Sequence, residues 1–198
     1  MDFITPSDIA QIQEDVRNIT QDVDLASNIL YRHLKTSVFD PTTGQMVHTY
    51  DEYTFKGCGG DHSLNEVARS GGVLKLGDKV FTFIPSEINN LMTIGDHFYV
   101  GLSGAGGITV TAGSKTIVGI DTRLVSDGVV AGDLLAIDGE YGTIASIQGN
   151  ENAMLVDNWA GESVIEAQYA IYRRYSIVHM NKDVLGVSLR VSVRRSGQ

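Results

Sequence analysis

Three times in this chain a Gly-Asp pair stands directly before an apolar run. Gly77-Asp78 precedes Lys79-Val80-Phe81-Thr82-Phe83-Ile84, Gly95-Asp96 precedes His97-Phe98-Tyr99-Val100, and Gly132-Asp133 precedes Leu134-Leu135-Ala136-Ile137. Glycine supplies the positive φ of a tight turn and aspartate bonds the neighbouring backbone, so each pair reads as a turn that delivers a strand. A chain punctuated in this way meanders through short strands. Its 22 glycines against 3 prolines, and its frequent Val, Ile and Thr, agree with a mainly β class.

One segment breaks that pattern. Thr5-Pro6-Ser7-Asp8 offers an N-cap hydroxyl, a proline at the first helical position and an acid in the first turn, and Ile9, Ile12, Val16 and Ile19 follow at helical spacing. This predicts an amphipathic helix over 6–19, packed on its own sheet or presented to a partner. Residues 27–35 read as a strand or the end of a second helix, the strand being favoured, and Asp40-Pro41-Thr42-Thr43-Gly44-Gln45 as a hairpin tip. Extended chain then runs to Gly57-Cys58-Gly59-Gly60, where the glycines are expected to end regular structure. Residues 61–72, flanked by glycines, read as a loop or one short helix.

Glycines crowd again from Gly101 to Gly107, a predicted linker or domain entry. Beyond it, alternation in 108–111, 116–118, 142–147, 153–156 and 167–172 predicts a small β-module. Charge divides the chain at the same place. No Lys or Arg lies between Leu124 and Tyr172, where all the charges are acidic. Arg173, Arg174, Lys182, Arg190, Arg194 and Arg195 then face Asp183 alone. That tail reads as strands 176–180 and 185–193 joined by Asn181-Lys182-Asp183.

A formal net charge of −9 argues against a protein that coats a nucleic-acid duplex. The single cysteine excludes an intrachain disulfide and a Cys-based zinc site. No run approaches the roughly 18 apolar residues of a membrane span and no leader pattern precedes the helix, so a soluble chain made in the cytoplasm is expected. The five histidines are dispersed without metal-ligand spacing. Cys58 near His62 admits a Cys-His nucleophile or, more simply, a small apolar residue at a loop base. Asp51-Glu52 and Asp138-Gly139-Glu140 could serve acid–base chemistry or calcium, but read better as solvated turn acids. Gly104-Ala105-Gly106-Gly107 lacks the Lys-Ser/Thr and helix of a nucleotide loop. No catalytic, cofactor or metal residue is assigned.

Two stretches resemble known proteins. The Ser7-Asp8-Ile9 helix, Asp40-Pro41-Thr42-Thr43-Gly44, Phe55-Lys56-Gly57-Cys58-Gly59, the loop to Gly72, Leu74-Lys75-Leu76-Gly77-Asp78-Lys79-Val80 and Ile94-Gly95-Asp96-His97-Phe98-Tyr99-Val100 resemble, in order and spacing, the head-closure or stopper proteins in the neck of long-tailed bacteriophages. The stretch from Ile108-Thr109-Val110-Thr111 through Val130-Ala131-Gly132-Asp133, Tyr141-Gly142-Thr143-Ile144 and Asn158-Trp159-Ala160-Gly161 to Tyr169-Ala170-Ile171-Tyr172 is similar to small β-modules of phage tail-fibre and baseplate proteins.

The resemblance implies a small β-barrel with one N-terminal amphipathic helix, formed by residues 1–103 and 173–198, and an inserted small acidic β-domain over 104–172. Stopper proteins ordinarily lack such an insertion. It further implies a virion structural protein at the head-tail junction, not an enzyme and without a cofactor. Such a protein forms a homo-oligomeric ring of six copies between the portal or adaptor ring and the tail tube or terminator, closing the channel on DNA that it does not read. The candidate channel-closing loop is Asp61, His62, Ser63, Leu64, Asn65, Glu66, Val67, Ala68, Arg69 and Ser70, and the candidate subunit interface is Arg173, Arg174, Arg190, Arg194 and Arg195. The alternatives are a tail-tip, baseplate or fibre-attachment protein, and a small β-barrel hydrolase using Asp51, Glu52 or His62.

Overall fold

The computed structural model describes residues 4–22, 26–42, 44–85, 91–94, 96–182 and 187–196. Helix α1 spans Pro6–Thr20 and opens with a reciprocal cap: the Asp8 N–H donates to the Thr5 hydroxyl at 3.2 Å and the Thr5 N–H to the Asp8 carboxylate at 2.8 Å. Its apolar stripe is half-buried at Ile9, Ile12 and Val16, and the helix lies against β2 (Gln45–Asp61) and β3 (Lys79–Phe83). The helix thus packs on its own sheet along this stripe, with Ile19 left 58% exposed.

The remaining elements are β1 (Ala26–Asp40), the short helix α2 (Leu64–Arg69), β4 (His97–Ser103), β5 (Gly107–Val110), β6 (Thr116–Ile120), β7 (Leu134–Ile137), β8 (Glu140–Ile147), β9 (Asn152–Leu155), β10 (Val164–Ala167), β11 (Ala170–Lys182) and β12 (Leu189–Arg195). The protein is mainly β, as the Gly-Asp turns and alternation predict.

The three aspartates bond alike. Asp78, Asp96 and Asp133 accept through one carboxylate oxygen from the N–H three residues earlier (Lys75 at 2.8 Å, Thr93 at 3.1 Å, Val130 at 3.0 Å) and donate their own N–H back to that residue's carbonyl. Gly77 and Gly132 stand third in these turns with φ of +89°, the conformation a type II turn requires there. Each aspartate also ties its turn to a neighbouring strand. Asp78 binds the Arg194 guanidinium on β12, Asp96 takes the Tyr31 hydroxyl of β1 at 2.5 Å, and Asp133 takes the Arg174 N–H of β11 at 2.9 Å.

Regular structure does not stop at Gly57-Cys58-Gly59-Gly60. Strand β2 runs through all four residues because the glycines make room for a neighbour: a Cβ on Gly59 would lie 2.2 Å from the ring of Phe81, its partner on β3. The ring covers the bare backbone, as aromatic residues do beside strand glycines. The expected linker at 101–107 is also largely strand, since β4 reaches Ser103, β5 begins at Gly107, and the Gly104 N–H bonds the Tyr169 carbonyl at 2.9 Å. In the tail, Asn181 and Lys182 belong to β11 and the second strand begins at Leu189; Asp183 lies outside the described residues.

Hydrogen-bonded neighbours follow the order β10-β5-β6-β9-β8-β7-β11-β12-β3-β2-β1-β4, with a further pairing of β4 to β11. By contact the chain divides into two compact units, 1–98 with 175–195, and 99–174 with 196–198. The first unit has an aromatic core, in which Phe81 meets Phe98 at 5.2 Å and Phe55 meets Phe83 at 4.8 Å, beside buried Leu30, Ile177, Val191 and Val193. The second closes over Ile108, Val110, Ile117, Leu135, Ile144, Leu155 and Trp159. Its β7–β8 hairpin turns on Asp138-Gly139 with φ of +50° and +89°, so the acids of Asp138-Gly139-Glu140 belong to a two-residue hairpin turn.

Candidate functional site around the second helix

The segment expected to move, 61–70, is a structured loop built on a second reciprocal cap. Ser63 and Glu66 exchange hydrogen bonds at 3.3 and 3.0 Å, which starts α2 although no apolar stripe follows. None of its residues is buried, and Leu64 is 72% exposed. Gly71 and Gly72, both at positive φ, follow it. The helix therefore stands on its own local bonds, held to the sheet by a few polar contacts.

Those contacts converge on Glu66. One carboxylate oxygen accepts from Arg190 of β12 at 3.2 Å, the other from the Ser63 N–H, and His62 Nδ1 stands 3.6 Å from it. The Ser63 backbone and hydroxyl, followed by Arg190, lower the carboxyl to about 2. The His62 side chain is 5% exposed; Nε2 meets the Ser192 hydroxyl at 3.0 Å, while buried Nδ1 has no hydrogen-bond partner. At the start of the segment Asp61 pairs with Lys79 at 3.0 Å, and beyond its end Arg194 bonds the Val73 carbonyl at 3.0 Å and the Asp78 carboxylate at 2.7 Å. Asn65, Val67, Ala68 and Ser70 complete the segment, Ser70 donating to the Val67 carbonyl at 2.7 Å.

Between α2 and strands β3, β11 and β12 lies a groove of about 320 Å³, lined by Arg69, Val73, Leu74, Val80, His179 and Arg190. Aliphatic Val73, Leu74 and Val80 line it together with two arginines against the single acid Glu66, a lining that matches an apolar side chain flanked by acids. Sequence reading picked out Arg190 and Arg194 but passed over Ser192. The signal was present: 190, 192 and 194 alternate along β12 and share one face, while Val191 and Val193 turn into the core.

The remaining candidates are dispersed. Arg173 donates to the Asp127 carbonyl and Arg195 lies over the Tyr175 ring at 5.6 Å. Arg174 meets Asp133 through its backbone. Asp51 and Glu52, on opposite faces of β2, pair with Lys35 at 3.0 Å and Arg32 at 2.7 Å. The Cys58 thiol donates to the Ile19 carbonyl at 3.0 Å, and burial, followed by the charge of Asp22, raises its pKa. His62, bonded to Ser192, and Cys58 are thus occupied with different partners. Among the described residues no group of three His, Cys, Asp or Glu gathers as a metal site, and no helix is long and apolar enough to cross a membrane.

Two further features lie in the first unit. The far ends of β1 and β2 form an exposed arm whose tip shows Val38, Phe39, Met46 and Val47 to solvent. At the near end, Tyr31, His33 and Asp96 form a half-buried triad, His33 Nδ1 standing 3.1 Å from the tyrosine oxygen and 3.2 Å from the carboxylate. Burial raises the Asp96 pKa, but donors from Tyr31, Thr93 and His33 outweigh it, and the carboxyl titrates below the ordinary range.

No family model matches the chain, and no curated protein matches it. Among solved structures, the solution structure of protein SF1141 from Shigella flexneri 2a is similar over 88% of this chain and 95% of that one, at 12% sequence identity and a TM-score of 0.43.

Proposed function

We propose that the chain is a structural protein of the phage neck, a closure ring between the portal or adaptor and the tail tube, in which segment 61–72 gates the DNA channel. The observation that carries the reading is the construction of α2. It is capped by its own residues, buries none of them, ends at two glycines of positive φ, and is tied to the sheet chiefly through Glu66 and His62. Such a segment can leave and return as a folded unit at low cost in free energy.

Three features support the rest. The run of pairings β11-β12-β3-β2-β1-β4, with β4 also paired to β11, supports the small-barrel reading. The β1–β2 arm ends in apolar side chains that gain by contact with an adjacent subunit. Net negative charge lets a duplex slide through a ring without adhering.

Replacing 63–70 by a short Gly-Ser linker in infected cells is the direct test. Heads that fill and then lose their DNA are expected; full heads that retain it would remove the gate. Immunogold with antibody against 104–172 should label the head–tail junction, whereas label at the distal tail would transfer the protein to the fibre-attachment class.

A further inference from the structure

The groove beside α2 has a surface left to fill. The side chains of Arg69 and His179, both in its lining, make no hydrogen bond or ion pair among the described residues, and Arg190, 50% exposed, spends a single N–H on Glu66. Val73, Leu74 and Val80 line the same groove. At about 320 Å³ the groove is at the small end of binding pockets, with room for one branched side chain rather than a length of strand.

A feature of converse chemistry stands on β10. Its ladder to β5 pairs Val164 with Val110 and Ala167 with Ile108, leaving an extra residue between, so Ile165 and Glu166 form a bulge at the edge of the strand order. Glu166 has φ of +51°, a conformation that side chains other than glycine rarely adopt, and its N–H is held by the Thr109 hydroxyl at 3.2 Å. The bulge displays Ile165, 81% exposed and the most exposed large apolar side chain among the described residues, between exposed Glu162 and Glu166. No Lys or Arg between Leu124 and Tyr172 neutralises those acids from their own stretch of chain.

We propose that the groove of one copy receives the bulge of a second copy, Ile165 packing against Val73, Leu74 and Val80 with Glu162 and Glu166 facing Arg69 and Arg190. Opposite charges steer the encounter and the apolar seat sets its lifetime. Because groove and bulge are different surfaces, the contact is heterologous and repeats from copy to copy until it closes a ring or extends a filament. The contact goes beyond the neck reading and does not depend on it: it would hold in any assembly of this chain.

The test is sedimentation velocity on the full-length chain from micromolar to submillimolar concentration, with co-purification of two differently tagged copies. Concentration-dependent association is expected, weakening with added salt. Ile165→Asp and Arg69→Glu should each weaken it at least about tenfold while leaving the circular dichroism and melting curve unchanged, since both side chains are exposed. Mixing the Arg69→Glu chain with a Glu166→Lys chain should restore association, because each then supplies the charge the other lacks. A wild-type chain of monomer mass at every concentration, or association that both substitutions leave unaltered, overturns the proposal. Label at the distal tail in the particle experiment would remove the neck reading and leave this contact standing.

Discussion

Adding one methyl group at Gly59 would place it 2.2 Å from the Phe81 ring, which is itself 3% exposed and cannot withdraw without opening the aromatic core. Gly59→Ala is therefore expected to destabilise the protein by about 1–3 kcal/mol in urea titration. Gly60→Ala, with open space at the same atom, should be nearly neutral. The turn aspartates are the other sensitive residues. Asp133, 0% exposed, satisfies the N–H groups of Val130 and Arg174, so Asp133→Ala should cost about 2–4 kcal/mol by stranding both. Asp78 and Asp96 are the less exposed of the carboxylates that contribute acid dependence, beside the exposed Glu66 and Asp8. Burial raises both carboxyl groups, but Arg194 with the Lys75 N–H, and Tyr31 with Thr93 and His33, lower them further, so both titrate below their ordinary 3.8. A folded-state pKa below the unfolded value gives stability that is complete above that value and lost as pH falls through the folded one. Urea midpoints should hold from neutral pH down to the carboxylate range and drop beneath it, and Asp96→Asn should flatten the drop.

The second helix shows how a stability effect can stay local. Ser63→Ala removes its cap, worth about 1 kcal/mol, yet α2 buries no residue, so the global melting temperature should scarcely move while proteolysis and amide exchange within 64–70 accelerate. Equal shifts in both measurements would mean that α2 is part of the cooperative core. The same element marks the limit of sequence reading. Thr5 with Asp8 and Ser63 with Glu66 are equivalent capping pairs, but only the first precedes an apolar stripe, which is why α1 was legible as a helix and α2 only as a loop or short helix. Glycine signals a break, so local chemistry ends β2 at Gly57; the Phe81 ring that compensates lies on another strand, beyond the reach of that signal. The groove escaped for a related reason. Alternation along β12 sorts Arg190, Ser192 and Arg194 onto one face, but nothing local says that α2 faces them.

At the scale of the molecule, the chain's hairpins were the easy part. In 99–174 the pairs β5–β6, β7–β8 and β8–β9 join neighbours in sequence; alternation and turns make these strands legible, and the β5–β6 pairing with them, while the β7–β8 and β8–β9 pairings follow only from the structure. The ladders β12–β3 and β3–β2 bring residue 193 to 79 and 61 to 79, and periodicity names no partner at that distance. The core of 99–174 is drawn from its own residues. That segment expressed alone is expected to give a dispersed amide spectrum and a cooperative melt, and an unfolded fragment would show that it relies on the rest of the chain. With 3 prolines to interrupt them, strands of this kind are free to slide along one another, and a slip of one residue would turn every core side chain to water. The Gly-Asp turns guard against this. Each is built from adjacent residues, and its carboxylate also bonds one particular group on a distant strand: the Arg194 guanidinium, the Tyr31 hydroxyl or the Arg174 amide. They act as alignment marks, satisfied only in the correct register, and a chain that arrives out of step finds a buried charge with nothing to meet it.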